Sequence, residues 1–308
     1  MTQNIKIRLG TRRSPLAMVQ AEETRNRLCE AHGWELSAVQ LVPVTASGDK
    51  VQDRPLADIG GKALWTKELD QWLAEGTIDA AVHSLKDVET IRPAELTIAA
   101  ILPRADKADR LIGAESLAAL RPGAVIGTSA PRRAAQALHM RPDCTVVSLR
   151  GNVATRLAKL AAGEVDATFL AAAGLDRLGQ GTTGHSLDVE HWLPAPAQGA
   201  IAVECRTNDA AALAALAALD HAPSRAEVMA ERALLLALGG TCHSSIAVLC
   251  NLKGQELHMR AALFSPDGAE RVEAEARFAA GDAQAPALLA QELLSRASAA
   301  ITDCFAAS

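Results

Sequence analysis

The feature that most constrains this chain is a repetition of its own local grammar. Near the start, the alternating residues Ile5 to Leu9 predict a strand and Gly10-Thr11 a turn. Ser14-Pro15 then supplies an N-cap with proline in the first helical turn, opening a helix that runs to about Ala31. Further along, Val125-Ile126-Gly127-Thr128 leads through Ser129-Ala130-Pro131 into another helix. A second echo reinforces the first: Gly76-Thr77-Ile78-Asp79-Ala80 and Gly163-Glu164-Val165-Asp166-Ala167 both follow helices and both open apolar strands. Two βαβ-type units, and so two similar α/β domains, are the simplest solution.

Between the ends of the first unit lie an apolar run Ala38 to Val44, a polar turn at Ser47-Gly48-Asp49 and the glycine pair Gly60-Gly61. A helical stretch from Ala63 to Glu75 and a strand Ile78 to Val82 follow, the strand ending at His83-Ser84-Leu85-Lys86-Asp87. The polar segment from Asp49 to Leu64, bracketed by glycines, reads as a mobile lid. From Pro223 the pattern changes to a helix Arg225 to Leu238, alternating strands Ile246 to Leu252, Glu256 to Leu263 and Arg271 to Phe278, and a helix Ala285 to Ala300. That is a third, α+β domain with a short antiparallel sheet.

A chain of 308 residues exceeds one ordinary core, and 49% hydrophobic with 22% charged residues excludes a disordered or low-complexity chain. No run approaches the roughly 18 apolar residues of a membrane span, and Lys6 and Arg8 interrupt any export signal. Six scattered cysteines without a CxxC pair argue against a zinc ribbon or disulfide framework, so reduced thiols in the cytoplasm are expected. The net charge of −5 disfavours nucleic acid and anionic lipid as partners. The basic residues are nevertheless skewed, 23 Arg to 8 Lys, and guanidinium is the group that grips carboxylate or phosphate with a planar fork. A small polyanionic ligand follows.

Parallel strands alternating with helices place ligand loops at strand C-termini, where Arg12, Arg13, Lys86, Asp87, Arg132, Arg133 and Arg150 fall. Single arginines usually belong to a solvated face; two adjacent pairs at equivalent points of a repeat favour anion binding. Lys86-Asp87 is open between an exposed ion pair and a lone carboxylate in a positive pocket, able to hold a cationic intermediate or move a proton. Cys242, after Gly239-Gly240-Thr241, is open between a small buried residue and a reachable loop nucleophile. The GxGxxG at Gly179 to Gly184 lacks the strand before it and the helix after it that a dinucleotide site needs. Walker, HExxH, GxSxG and EF-hand patterns are missing, which disfavours NAD, ATP, zinc and serine-hydrolase chemistry.

The sequence resembles the porphobilinogen deaminase (hydroxymethylbilane synthase) family across essentially its whole length. The resemblance rests on Gly10-Thr11-Arg12-Arg13-Ser14-Pro15-Leu16-Ala17, Ile59-Gly60-Gly61-Lys62, Ala81-Val82-His83-Ser84-Leu85-Lys86-Asp87, Arg132-Arg133, Leu149-Arg150-Gly151-Asn152-Val153, Ala173 to Gly179 and Gln198-Gly199-Ala200, in the family's order and spacing. It implies three domains: residues 1–101 with 197–219, then 102–196, both of the type II periplasmic-binding-protein kind around a central cleft, and 220–308 carrying the cofactor cysteine. It also implies that the chain returns to the first domain near Gln198-Gly199, making Ile201 to Glu204 one of that domain's strands.

The family's chemistry implies a dipyrromethane primer bonded through a thioether to Cys242, onto which four porphobilinogen units are deaminated and added before hydroxymethylbilane is released. The resemblance makes Asp87 the acid/base beside the cationic azafulvene that loss of ammonia leaves. Arg12, Arg13, Lys86, Arg132, Arg133, Arg150, Arg156 and Arg177 become the grips for pyrrole carboxylates. Ser14, Gln20, Lys62, Ser84, Thr128, Ser129, Gln198 and Gly199 are further contacts. No metal is implied, and the family suggests a monomer. This chain departs from the family at Glu89 and Ser245 (usually proline), Thr241 (glycine), Ala130 (serine) and Trp65 (phenylalanine). The competing expectation is a non-catalytic clamp for a carboxylate ligand, or a regulator, on the same two-domain fold.

Overall fold

The computed structural model describes residues 5–44, 66–241 and 244–306. The expected lid with Lys62, as well as Trp65, Cys242 and His243, lies outside them. The chain divides into two compact units, and the described residues of the first are 5–44, 66–105 and 199–225.

The first unit holds a five-stranded sheet of β1 (Ile7–Arg12), β2 (Val39–Val44), β3 (Ala80–Ser84), β4 (Leu96–Ile101) and β10 (Ile201–Arg206), in the order β2-β1-β3-β10-β4. The first three neighbours are parallel; β10 runs antiparallel to both β3 and β4. The strand expected at Ile201 to Glu204 is therefore β10, continued to Arg206. Helix α1 (Pro15–His32) begins where Ser14 Oγ accepts from Ala17 N and ends at Gly33, left-handed at φ 63°. It buries Ala21 and Leu28 against Leu9, Val82 and Val203. The short helix α2 (Lys67–Ala74) covers the other side of the sheet with Leu69 and Leu73.

One expectation fails here. Gly10-Thr11 is no turn but the middle of β1, paired with Val42 and Pro43. Packing, not chain reversal, asks for glycine: a Cβ on Gly10 would stand 2.3 Å from Ile78 Cδ1 and 2.9 Å from Leu69 Cδ2.

The second unit, residues 106–198 and 226–306 of those described, holds two sheets. The larger comprises β5 (Asp109–Ile112), β6 (Val125–Gly127), β7 (Thr145–Val147), β8 (Ala167–Ala171) and β9 (His185–Ser186), ordered β7-β6-β8-β5-β9. Again three parallel neighbours are followed by an antiparallel strand and an antiparallel edge. The two sheets thus follow one plan, as the repeat in the sequence predicts, and each is mixed rather than wholly parallel. The echo at Asp79 and Asp166 has a physical cause. Arg8 N donates to Asp79 Oδ2 at 2.7 Å and Val125 N to Asp166 Oδ2 at 2.7 Å, while an arginine fork, from Arg8 or Arg121, holds each carboxylate from outside.

The smaller sheet is a meander of β11 (Ile246–Lys253), β12 (Glu256–Phe264) and β13 (Arg271–Ala279). One face is covered by Leu234 and Leu238, Leu289 and Leu293, and Ile301 and Phe305. The expected helix Ala285 to Ala300 is two helices, Ala285–Arg296 and Ala299–Ala306, because Ala297 is extended (ψ 143°) and redirects the chain so that Ile301 and Phe305 enter that core. The opposite face of the sheet, through Ala247, Leu249, Ala262 and Phe264, packs on Ala135 and Leu193 of the larger sheet's layer. Among the described residues no helix is long and apolar enough to cross a membrane.

Candidate functional site

Both sheets gather their charged and polar side chains at the C-terminal edge of the parallel strands, the edge where open α/β sheets place ligands. In the first unit, β1 ends at Arg12, and Arg13 N is tied to Val44 O at 2.8 Å. Ser14 caps α1, whose first turns carry Gln20. Strand β3 ends at Ser84, and the Gln20 amide donates to Ser84 Oγ at 2.9 Å. The chain then makes one tight 3-10 turn, Leu85–Asp87, which carries Lys86 and Asp87. Leu85 N donates to Ala200 O at 3.0 Å and Val88 N to Leu85 O at 3.1 Å, so the turn is fixed beside the start of β10 and the preceding Gly199.

Arg12, Ser14, Gln20, His83, Ser84 and Asp87 line one pocket, together with Thr66. The sequence reading missed the charges beneath it. Glu204 on β10 is fully buried; its Oε2 lies 3.2 Å from His83 Nε2, off the line of a hydrogen bond, and it receives both Nε and Nη2 of Arg92, at 2.9 and 3.0 Å. Burial pushes the Glu204 carboxyl up, but His83 and Arg92 outweigh it and bring it to about 2. Burial likewise opposes the charge on Arg92, and Glu204 and Asp70 more than reverse this, raising the guanidinium above its ordinary value.

In the second unit, Thr128 and Ser129 follow β6 and lead into α3 (Pro131–Met140), with Arg132 and Arg133 in its first turn. Ala130 at the N-cap offers no side-chain acceptor, while Ser129 Oγ meets Ser148 Oγ at 3.0 Å. Both arginines are buried, not displayed on a solvated face. They converge on Asp109, the first residue of β5, with Arg132 Nη2 at 2.7 Å from Oδ2 and Arg133 Nη2 at 2.6 Å from Oδ1. Trp192 Nε1 (2.8 Å) and Gln198 Nε2 (3.0 Å) complete the shell. Burial raises the Asp109 carboxyl, yet the two guanidiniums overcome that and hold it well below the usual carboxylate range.

The second-unit cluster carries two arginine charges against one carboxylate, and the Nε atoms of Arg132 and Arg133 are buried without a hydrogen-bond partner. Such a cluster leaves a net positive charge in the interior. Arg150 follows β7, Arg156 stands in the first turns of α4 (Val153–Ala161) with its Nε on Gly151 O at 2.9 Å, and Arg177 ends α5 (Ala172–Arg177). Arg150, Arg156 and Arg177 are partly exposed. The same edge therefore offers further guanidiniums at its surface and two in its interior. No group of His, Cys, Asp or Glu among the described residues could hold a metal ion.

Asp109 had no visible motif in the sequence; the one signal was that two adjacent arginines buried in a first helical turn require a counter-ion. Glu204 and Arg92 were hidden because neither belongs to a recognisable pattern and they meet only through the long return of β10.

Comparison with known proteins points in one direction. Residues 7–214 match the family model described as porphobilinogen deaminase, dipyromethane cofactor binding domain, and residues 225–296 match the porphobilinogen deaminase C-terminal domain. The chain is 53% identical over 311 residues to the porphobilinogen deaminase of Sphingopyxis alaskensis, covering 99% of this chain and 98% of the relative. It is 46% identical over 301 residues to that of Paracoccus denitrificans, covering 96% of each. Among solved structures, the Bordetella pertussis BvgS VFT2 domain aligns over 69% of this chain and 85% of its own at 15% identity, with a TM-score of 0.40. A TRAP periplasmic solute binding protein of Desulfovibrio salexigens aligns over 70% of this chain and 72% of its own at 11% identity, with a TM-score of 0.41.

Proposed function

The chain belongs to the porphobilinogen deaminase family, and we propose that Asp87 is the group through which it runs the family's chemistry. It is a hydroxymethylbilane synthase, a transferase that polymerises porphobilinogen in tetrapyrrole biosynthesis with a dipyrromethane cofactor. Near-complete coverage of relatives that carry this activity leaves the non-catalytic clamp unfavoured.

The observation that carries the assignment of Asp87 is its place: a carboxylate on a tight turn at the strand edge, in a pocket that also holds Arg12, Ser14, Gln20 and Ser84. Arg12, with the hydroxyl and amide groups around it, suits the acetate or propionate of an incoming pyrrole. Breaking the carbon–nitrogen bond releases ammonia and leaves positive charge on the substrate's exocyclic carbon. The Asp87 carboxylate faces that charge and takes up the proton set free when the new carbon–carbon bond forms. Lys86 beside it adds a cation for substrate carboxylates.

The cofactor's carboxylates fit the second-unit arginines, where two buried guanidiniums share a single carboxylate and keep their Nε donors unused. Arg132 and Arg133 would hold it, aided by Thr128 and Ser129, with Arg150, Arg156 and Arg177 gripping further pyrroles. When bound, dipyrromethane supplies the pyrrole carbon to which the first unit is joined. We assign its attachment to Cys242. Arg13, Lys62, Gln198 and Gly199 complete the proposed contacts.

The proposed domains are 1–101 with 197–219, 102–196, and 220–308; the separate cores around Leu28, Phe169 and Leu263 support that division. Free thiols at Cys29, Cys144, Cys205 and Cys304 suit a reducing cytoplasm. The enzyme is proposed to act there as a monomer without nucleic acid, and light scattering of the purified protein tests the monomer. For Asp87, the test is Asp87→Ala: a folded, primed protein with kcat lowered about 10²- to 10⁴-fold, Asp87→Glu retaining part of the activity. Turnover of Asp87→Ala within a few-fold of wild type removes the assignment.

A further inference from the structure

Catalytic carboxylates must be held within about 0.5 Å of their working position, yet Asp87 stands on a single 3-10 turn, a form with poor intrinsic hydrogen-bond geometry. The near end of that turn is tied to Ala200 by Leu85 N at 3.0 Å. The far end leaves through Val88 to Glu89. There one guanidinium collects three carboxylates from three parts of the first unit: Glu204 on β10, Asp70 on α2 at 2.5 Å, and Glu89 Oε2 at 2.9 Å. The same Glu89 oxygen accepts from Thr66 Oγ1 at 3.0 Å. Arg92 is only 9% exposed and Glu204 is fully buried, whereas Glu89 is 29% exposed. Glu204 and Asp70 already supply more negative charge than Arg92 needs, so neutralising Arg92 does not account for Glu89. Its distinct contribution is mechanical, because it alone of the three lies in the segment that leaves the catalytic turn.

We propose that Glu89 is a positioning residue for Asp87: by sharing Arg92 with Glu204 and Asp70, and by accepting from Thr66, it fastens the far end of the catalytic turn to β10 and α2. The clamp works on the backbone, so a restraint of another kind at the same position can replace it. Val88 has φ −96° and ψ 128°, the extended backbone that a following proline requires. Proline at 89 cannot bond to Arg92 or Thr66, but it fixes φ covalently and removes freedom from the same link. This inference rests on the assignment of Asp87.

The experiment compares the primed holoenzymes of wild type, Glu89→Ala and Glu89→Pro. In Glu89→Ala, kcat is expected to fall about 10-fold, within the roughly 100-fold that a 1 Å misplacement can cost, with KM for porphobilinogen nearly unchanged. Hydrogen exchange of the Val88 amide, which closes the turn on Leu85 O at 3.1 Å, should quicken about 10-fold in the same variant. Glu89→Pro should bring both quantities back to within about threefold of wild type, a recovery that a role in bulk stability does not give. Unchanged kcat and exchange in Glu89→Ala overturn the proposal, as does a loss that Glu89→Pro does not restore. Full turnover in Asp87→Ala would instead remove the underlying assignment and is read separately.

Discussion

Asp109 shows how much of the proposed cofactor grip rests on a residue with no proposed contact to the cofactor. It is wholly buried, takes one donor from each of Arg132 and Arg133, and so fixes the direction of both forks. Asp109→Asn would leave two guanidiniums buried without their carboxylate, a change that costs about 3–5 kcal/mol. Urea unfolding of the variant should show that loss, and intact-mass analysis should show less primer than in wild type. A fully primed protein of wild-type stability would mean that the arginines do not depend on it. The proposed roles also divide by stage. Arg12→His should yield primed protein that does not elongate, whereas Arg132→His should yield mostly unprimed protein; the same intermediate accumulating in both would refute that division. Asp87 and the arginine pairs could be singled out as candidates because they stand in the motifs that carry the family resemblance, and Cys242 because that resemblance points to it; the residues alone left Asp87 and Cys242 open. Asp109, Glu204 and Arg92 could not be, because what selects them is charge compensation across strands far apart in the chain.

At the scale of elements, most of what was legible came from caps and periodicity. Ser14-Pro15 marked the start of α1 to the residue, and the alternation from Ile246 onward marked three strands within a residue or two. What failed had a tertiary cause. Gly10 was read as a turn because glycine usually signals one, but here it clears space for Ile78. At the hairpin between β12 and β13 packing constrains another glycine. Gly268, at φ 70°, lies against α3, where a Cβ would sit 2.4 Å from Ala135 O and 2.7 Å from His139 N, and its own carbonyl meets His139 Nδ1 at 2.9 Å. Those neighbours are backbone and cannot swing aside. Gly268→Ala should therefore cost about 1–3 kcal/mol and displace the hairpin from the helix that carries Arg132 and Arg133. Equilibrium unfolding checks the cost, and a stability within about 0.5 kcal/mol of wild type would show that the hairpin is free to move away.

For the whole molecule, the repeat was legible and the return of the chain was not. Gly76 to Ala80 and Gly163 to Ala167 announced two similar units, since each aspartate has the same task on the neighbouring strand. Nothing in local pattern says that Ile201–Arg206 goes back between β3 and β4; that came only from the family resemblance. The return brings Glu204 beneath the pocket, and with it an acid-sensitive charge. Its carboxyl is depressed from 4.5 to about 2, so the stability it contributes is present above about pH 4.5 and lost as the pH falls toward 2. Asp109 is shifted in the same direction. Thermal unfolding followed from pH 6 down to about pH 3 should show a falling midpoint, and a flat profile would mean that these carboxylates are equally stable protonated. The most direct test of the account is the intact mass of the purified protein during a reaction with limiting porphobilinogen. The account predicts a polypeptide heavier than its sequence by one dipyrromethane, located on the peptide carrying Cys242, followed by a ladder of added pyrrole units that stalls in Asp87→Ala. A polypeptide that turns over substrate while keeping its bare mass would contradict it.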